Sequence, residues 1–495
     1  MFIKRRSSIL YRDFQTFGYL TDNRNFGYKL KNVSEGFVGD KIVSQSGTVF
    51  LSVVSRKPQQ FDDIVKQINA VFPDVDFGVI KDDAREFFGT LEREGFIISG
   101  ESVQECDEKD TKFSYSNIAS EIVNESLPLA DLVPAISTQE FLEEHFGGRP
   151  QLTNLHIEIT SRCNERCIHC YIPDGHRNTE IELSIFQDVL RQCREMNVLH
   201  LTISGGEPML HRSFIEFLKM CREYEFSVNV LSNLTLLTDE ILAEMRSNHL
   251  LGVQVSLYSM NPVIHDQITE LKGSFEKTKS AILKLLENDV PLKIACPIMK
   301  NNKGCYQDVV DWAMKQKVQV GYDYVVLAKY NHSTENLSSR LSIEEVEEVI
   351  RERVHKDAKY LKQIEDESLK RINASVEDNV CSVCHSSICV NERGNVYPCA
   401  GWQGYVVGNV KSTSLQEIWL YSERVKYLRE LRKRDFPKCI QCNDQEFCTM
   451  CLVRNANEDA SGDPLAINAY YCEVARLNKA IARDDQYRPS QSCKN

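Results

Sequence analysis

The stretch LHIEITSRCNERCIHCYIP, residues 155–173, joins two patterns in one short segment. LHIEIT is a short apolar run of strand length, and Cys163, Cys167 and Cys170 follow it within eight residues. Runs of the same kind recur down the chain as LHLTIS, SVNVLS, LGVQVSLYS, PLKIACPIM and VGYDYVVLA, with helical stretches between them. Six such strand–helix repeats predict a parallel sheet curled toward a barrel over residues 151–335. Active sites of parallel α/β folds form at the carboxyl ends of strands, so the loop with the three thiols stands where chemistry is expected.

The composition excludes several classes. The 495 residues are 42% apolar and 26% charged. Those are ordinary values for a globular protein with two or three domains. A formal charge of −12 argues against a sequence-independent nucleic-acid surface. No run of 18 apolar residues exists, and the basic start MFIKRRSS has no apolar run behind it, so neither a membrane span nor a secretory signal is expected. A cytoplasmic location follows as the expectation. Eighteen cysteines in such a chain point to metal or catalysis rather than disulfides, because they cluster at 163–170, 381–399 and 439–472.

The second repeat ends in SGGEP, Ser204 to Pro208. Paired glycines let a backbone approach a ligand closely, and the glutamate offers an acceptor for an ammonium group. Placed one strand after C-x3-C-x2-C, this motif resembles the radical S-adenosylmethionine superfamily. The resemblance implies that Cys163, Cys167 and Cys170 bind three irons of a [4Fe–4S] cluster, whose fourth iron takes S-adenosylmethionine. It further implies that His169 lies near the adenine, and that the backbone of Gly205 and Gly206, with Glu207, holds the methionine amino group. Asn233 and Ser256, ending the third and fourth strands, would reach the ribose or the carboxylate. No arginine follows HD in HDQITELKGSF, so the carboxylate contact stays unassigned.

Residues 381–475 carry a second cysteine field, CSVCHSSICVNERGNVYPC and CIQCNDQEFCTMC followed by Cys472. A zinc ribbon wants two CxxC pairs separated by a stretch of about 15–20 residues. Only five residues separate Cys442 from Cys448. The spacing is similar to the SPASM extension of radical S-adenosylmethionine enzymes, with Cys451 one residue early. That likeness implies two auxiliary [4Fe–4S] clusters, three in all: one on Cys439, Cys442, Cys448 and Cys472, the other on Cys399 and Cys451 with two of Cys381, Cys384 and Cys389, of which the first two are favoured.

Residues 1–100 read as a winged-helix-like α+β unit. Its expected strands are FGYLTDN, FGYKLKN, TVFLSVVS and GFIIS, and its expected helices PQQFDDIVKQINAVF and DDAREFFGTLEREG. It resembles the recognition element that captures a precursor's leader as an added strand on a sheet edge. Residues 101–150 are expected as a linker, 336–380 as a connecting helix and 476–495 as a tail. Together the resemblances imply a peptide maturase of the sactipeptide or ranthipeptide kind. A 5′-deoxyadenosyl radical takes hydrogen from a core-peptide carbon, a substrate cysteine sulfur bonds there, and the surplus electron leaves through the auxiliary clusters. No side chain is assigned as catalytic beyond the cluster and S-adenosylmethionine. The partners implied are a precursor with an N-terminal leader and an electron donor such as flavodoxin or ferredoxin, with no nucleic acid and no membrane. A formylglycine-forming maturase would carry aspartate where Ala400 stands. Carbon–carbon crosslinking or epimerisation would use the same parts, and a non-catalytic peptide-binding iron–sulfur protein is the rival from another class.

Overall fold

In the computed structural model, residues 1–22, 28–30, 37–115, 142, 144–147, 149–372 and 374–484 are described. The N-terminal unit contains β1 (Phe2–Arg5), β2 (Leu10–Asp13), β3 (Gly18–Thr21), β4 (Tyr28–Leu30), β5 (Asp40–Val43), β6 (Gln59–Gln60), β7 (Ile97–Gly100) and β8 (Phe113–Tyr115). They pair in the orders β6–β1–β7, β2–β3–β5 and β4–β8, antiparallel throughout. Helices Phe61–Val71 and Phe77–Arg93 bury Ile64, Val65 and Ile68, and Ile80, Ala84, Phe88 and Leu91, at helical spacing in one core.

Two expectations for this region change. TVFLSVVS is not a strand: its first half belongs to the helix Gln45–Ser52. Ser44 caps that helix by accepting from the Gly47 N–H at 3.2 Å, and Phe50 and Leu51 on its inner face fill the core. Cap and core partners override the strand preference of the β-branched residues. Residues 101–115 are structured rather than linking: helix Val103–Glu108, capped by Ser102, buries Cys106 completely before β8. The rest of the expected linker at 116–141, with 143 and 148, lies outside the described residues.

The barrel strands are β9 (Asn154–Thr160), β10 (His200–Gly205), β11 (Ser227–Ser232), β12 (Leu251–Ser256), β13 (Leu292–Ala295) and β14 (Gln319–Gly321), parallel and side by side in chain order. The last is short: VGYDYVVLA leaves the sheet at Tyr322, where Asp323 accepts from the Val325 N–H at 2.8 Å in a turn. Alternation divides each strand. Leu155, Ile157, Ile159, Leu201, Ile203, Val228, Val230, Val253 and Val255 are buried in the main core with the outer helices. The opposite parity presents His156, Glu158, Thr202, Ser204, Asn229, Gln254 and Lys293 on the inner face. A closed (β/α)8 barrel fills that space with bulky aliphatic side chains. Here it is polar, and His156, Thr202, Gln254 and Lys293 are only half-buried.

The C-terminal segment does not stand apart from the barrel. β15 (Ser387–Val390) pairs in parallel with β9, and β16 (Asn395–Tyr397) and β17 (Gly408–Asn409) follow antiparallel, so one sheet runs β14–β13–β12–β11–β10–β9–β15–β16–β17. The connecting segment is two helices, Ile343–Lys356 and Ala358–Ile372, the first started by a capping box of Ser342 and Glu345. The helix that carries Cys472 runs from Ala469 to Ala482, past the expected boundary at 475. The remaining tail, 485–495, lies outside the described residues. Among the described residues no helix is long and apolar enough to cross a membrane.

The N-terminal unit sits against the amino ends of the barrel strands. Arg12, fully buried, donates to the carbonyls of Val198 and Glu225 at 2.9 and 2.8 Å, just before β10 and β11. Arg5 pairs with the Glu225 carboxylate at 2.6 Å, and Leu10 and Tyr19 pack with Leu199 and Leu250.

Candidate functional site

At the carboxyl end of β9 the chain enters the cysteine loop, and β10 delivers the Ser204–Pro208 turn beside it. The two are stitched together: the Gly206 N–H donates to the Thr160 carbonyl and the Glu207 N–H to the Arg162 carbonyl, both at 2.8 Å. Gly205 has φ +136°, and a Cβ there would strike the Thr160 carbonyl oxygen; one on Gly206 would strike that of Arg162. The glycines are therefore required by backbone packed on backbone, which fixes the cluster loop relative to the second strand.

Glu207 has a structural engagement the motif did not announce. Its carboxylate is fully buried and accepts from the Met209 N–H at 3.0 Å, Ser232 Oγ at 2.8 Å and the Asn233 N–H at 2.8 Å. Burial pushes it up to about 7, with the three donors pulling the other way. Such a carboxylate positions the ends of β10 and β11. Asn233 is likewise committed: its amide donates to Asn164 Oδ1 in the cysteine loop at 3.1 Å and accepts from Thr235 Oγ1 at 2.7 Å.

The three thiols are half-buried neighbours, and Cys163 and Cys170 each raise the proton affinity of another member. Burial pushes Cys163 up to about 12 and raises the other two. As thiols they are inert; a metal is what would turn such groups into thiolates. Glu165, 3% exposed between them, leaves Oε1 without a hydrogen-bond partner while Oε2 accepts from the Cys167 thiol at 3.3 Å. Arg166 and Arg177 both donate to its main-chain carbonyl, at 2.8 and 3.2 Å, and so shape the loop. The His169 ring stands edge-on to Tyr258 at 5.1 Å, its Nδ1 buried and unpartnered, and burial holds it down to about 4, hence neutral. Asn336 ties the His169 carbonyl at 3.1 Å to that of Leu327 beyond β14 at 2.7 Å. Ser256 ends β12 half-buried, two residues before Tyr258. The structure thus brings Cys163, Cys167, Cys170, His169, Gly205, Gly206, Glu207 and Asn233 to one end of the barrel, with Ser256 at its rim.

The cysteines of residues 381–472 fall into two groups by mutual electrostatic influence. Cys439, Cys442, Cys448 and Cys472 act on one another. Cys381, Cys384, Cys399 and Cys451 form the other set, with Cys389 reaching only Cys384 and Cys399. Among the described residues no three such side chains close upon a single ion. Grouped, buried thiols and an orphaned imidazole nitrogen are a donor set that fits an iron–sulfur cluster at the barrel mouth.

One component was missed in the sequence. Glu158, on the inner face of β9 and 1% exposed, accepts from Tyr171 Oη at 3.2 Å and from Gln403 Nε2, with the Tyr397 hydroxyl beside it. It joins the cysteine loop to the C-terminal hairpin, and burial pushes it up to about 7. The signal was an acidic residue inside an otherwise apolar strand segment, at the parity of His156.

Comparison with known proteins follows this division of the chain. Residues 157–313 match the Radical SAM superfamily, and residues 381–443 match SPASM, an iron–sulfur cluster-binding domain. The AdoMet-dependent heme synthase of Methanosarcina barkeri is 25% identical over 339 residues, 63% of this chain and 94% of its own. The antilisterial bacteriocin subtilosin biosynthesis protein AlbA of Bacillus subtilis is 24% identical over 315 residues, 61% of this chain and 68% of its own. The crystal structure of Streptococcus suis SuiB bound to precursor peptide SuiA superposes with a TM-score of 0.57 at 14% identity, covering 94% of this chain and 98% of that one. At that identity the likeness establishes the fold.

Proposed function

We propose that this chain, a radical S-adenosylmethionine enzyme with a SPASM domain, matures a ribosomally made peptide by joining a substrate cysteine sulfur to a carbon of an acceptor residue. The carrying observation is the three half-buried thiols beside the paired-glycine turn at the mouth of a barrel whose inner face is polar and half-open. An iron–sulfur cluster with S-adenosylmethionine, when bound there, supplies the one-electron chemistry that opens an unactivated C–H bond. The chain's part is placement. Cys163, Cys167 and Cys170 would hold that group, and the neutral His169 ring with Tyr258 would form the wall beside it. His156, Thr202, Gln254 and Lys293 would face the peptide. The two outer thiol groups would hold auxiliary clusters, three in all, suited to carrying the surplus electron away to a flavodoxin or ferredoxin in the cytoplasm.

A peptide, rather than a small molecule, is supported by the N-terminal unit, since the fold of SuiB, whose structure holds precursor peptide SuiA, spans 94% of this chain. The N-terminal unit would capture the leader on a sheet edge. Co-expression with a small cysteine-bearing open reading frame beside the gene tests the reading through the product's intact mass, with and without thiol alkylation. Loss of two hydrogens per event with a vanished alkylatable thiol is expected. The same loss with every thiol still free would mean a carbon–carbon link instead.

A further inference from the structure

Beyond the carboxyl end of β14, helices Ile343–Lys356 and Ala358–Ile372 and the C-terminal helix enclose a cavity of about 510 Å³ whose lining includes Cys451. That volume is within the usual range for a ligand site, roughly 300–1,000 Å³. Its walls are aromatic, and its charged lining is Arg353, Arg371 and Arg454 with Asp323 and Glu367, of which Arg371 and Glu367 pair at 3.1 Å. The Arg353 guanidinium lies 3.7 Å over the Tyr360 ring and 4.4 Å from that of Tyr322, sandwiched between them. Arg454, 8% exposed, lies 3.9 Å over Tyr471 and donates to the Thr449 carbonyl. Among the described residues neither arginine pairs with a carboxylate. The Tyr471 hydroxyl, on the same wall, is buried with no hydrogen-bond partner.

A guanidinium stacked on an aromatic face keeps its in-plane N–H edge available, and that edge matches a carboxylate in two parallel bonds. Arg454 is buried and Arg353 half-buried, and holding such charges out of water without a counter-ion is unfavourable, so the pair on one aromatic cavity favours an anionic ligand. Position says which. Tyr322 follows β14 at the barrel mouth, and Cys451 belongs to the first auxiliary thiol group, so the cavity lies between that group and the barrel.

We infer that this cavity binds a carboxylate of the precursor peptide, with Arg353 and Arg454 as its recognising pair. The inference rests on the peptide-maturase reading and names a property of the substrate: an acidic side chain near the modified segment, or the free C-terminus. One guanidinium–carboxylate contact of this kind is worth roughly tenfold or more in affinity.

The test titrates fluorescein-labelled decapeptides against the reconstituted full-length protein by anisotropy. Three probes are compared: an Asp-containing sequence with an amidated C-terminus, its Asn counterpart, and the Asn counterpart with a free C-terminus. At least tenfold tighter binding of the Asp peptide is expected, shrinking to less than threefold in Arg353→Gln and Arg454→Gln, while Arg353→Lys keeps part of it. A preference carried by the free C-terminus alone supports the terminal carboxylate as the ligand. Equal binding of all three probes by the wild-type protein overturns the inference, whether or not a variant folds. So does an Asp preference that survives in both Gln variants, or displacement of the Asp peptide by equimolar inorganic phosphate, which would mark a small-anion site. The peptide-maturase reading fails separately, if co-expression leaves the precursor unmodified while these peptides still discriminate.

Discussion

Cys163, half-buried, and Glu158 and Glu207, fully buried, stand together beside the barrel mouth, yet removing each should have a different effect. Cys163→Ala removes one of three ligands: release of 5′-deoxyadenosine under reduction should stop, while leader-peptide affinity stays within about twofold of wild type. Continued release would sink the cluster assignment. Glu158 carries a pH signature. Its carboxyl is shifted from 4.5 to about 7, so the folded protein holds the proton more tightly than the unfolded chain. Its contribution is complete below about pH 4.5 and is lost as pH rises through about 7, amounting to about 3 kcal/mol. Urea midpoints should fall across that window, and Glu158→Gln should flatten the fall; identical slopes would refute the assignment. Glu207, in contrast, was legible only in part. SGGEP announced a ligand turn, but two of the three donors to its carboxylate come from Ser232 and Asn233, one strand away, and no local motif reports on such a partner.

At the scale of elements, the cysteine loop and the glycine turn behave as one piece of backbone. Gly206→Ala should therefore cost roughly 2–4 kcal/mol through a collision with the Arg162 carbonyl, and it should lower cluster iron together with stability. A variant with wild-type iron and melting would show that the loop can yield. Thiol order gives a second check. Cys389, buried on β15, and Cys384 each reach two members of the first auxiliary group, and the spacing favours Cys384 as the ligand. Reconstituted Cys389→Ser should keep its full iron content, and Cys384→Ser should lose about a third of it if three clusters bind. The reverse result would exchange their roles. The six barrel strands could be read from the chain because their apolar runs repeat. Helix Gln45–Ser52 could not, because TVFLSVVS has strand composition and only the Ser44 cap and the core behind Phe50 decide it.

For the whole molecule, the nine-stranded sheet explains how distant parts come to share a site. β15 continues the barrel beside β9, so Gln403 and Tyr397 reach Glu158 across more than two hundred residues of sequence. That continuity was invisible in the sequence, where residues 381–475 read as a separate cysteine-rich domain. The N-terminal unit has the opposite placement. It is anchored by Arg12 and Arg5 at the amino ends of β10 and β11, while the thiols stand at the carboxyl end of β9. The two ends are separated by the length of a strand, roughly 20 Å. If that unit holds the leader, the molecule becomes a ruler. An extended chain covers about 3.3 Å per residue, so the six or so positions immediately after the held segment are spent on reach alone. They would leave the enzyme unmodified whatever their chemistry, and the first modified residue would be set by distance before it is set by side chain.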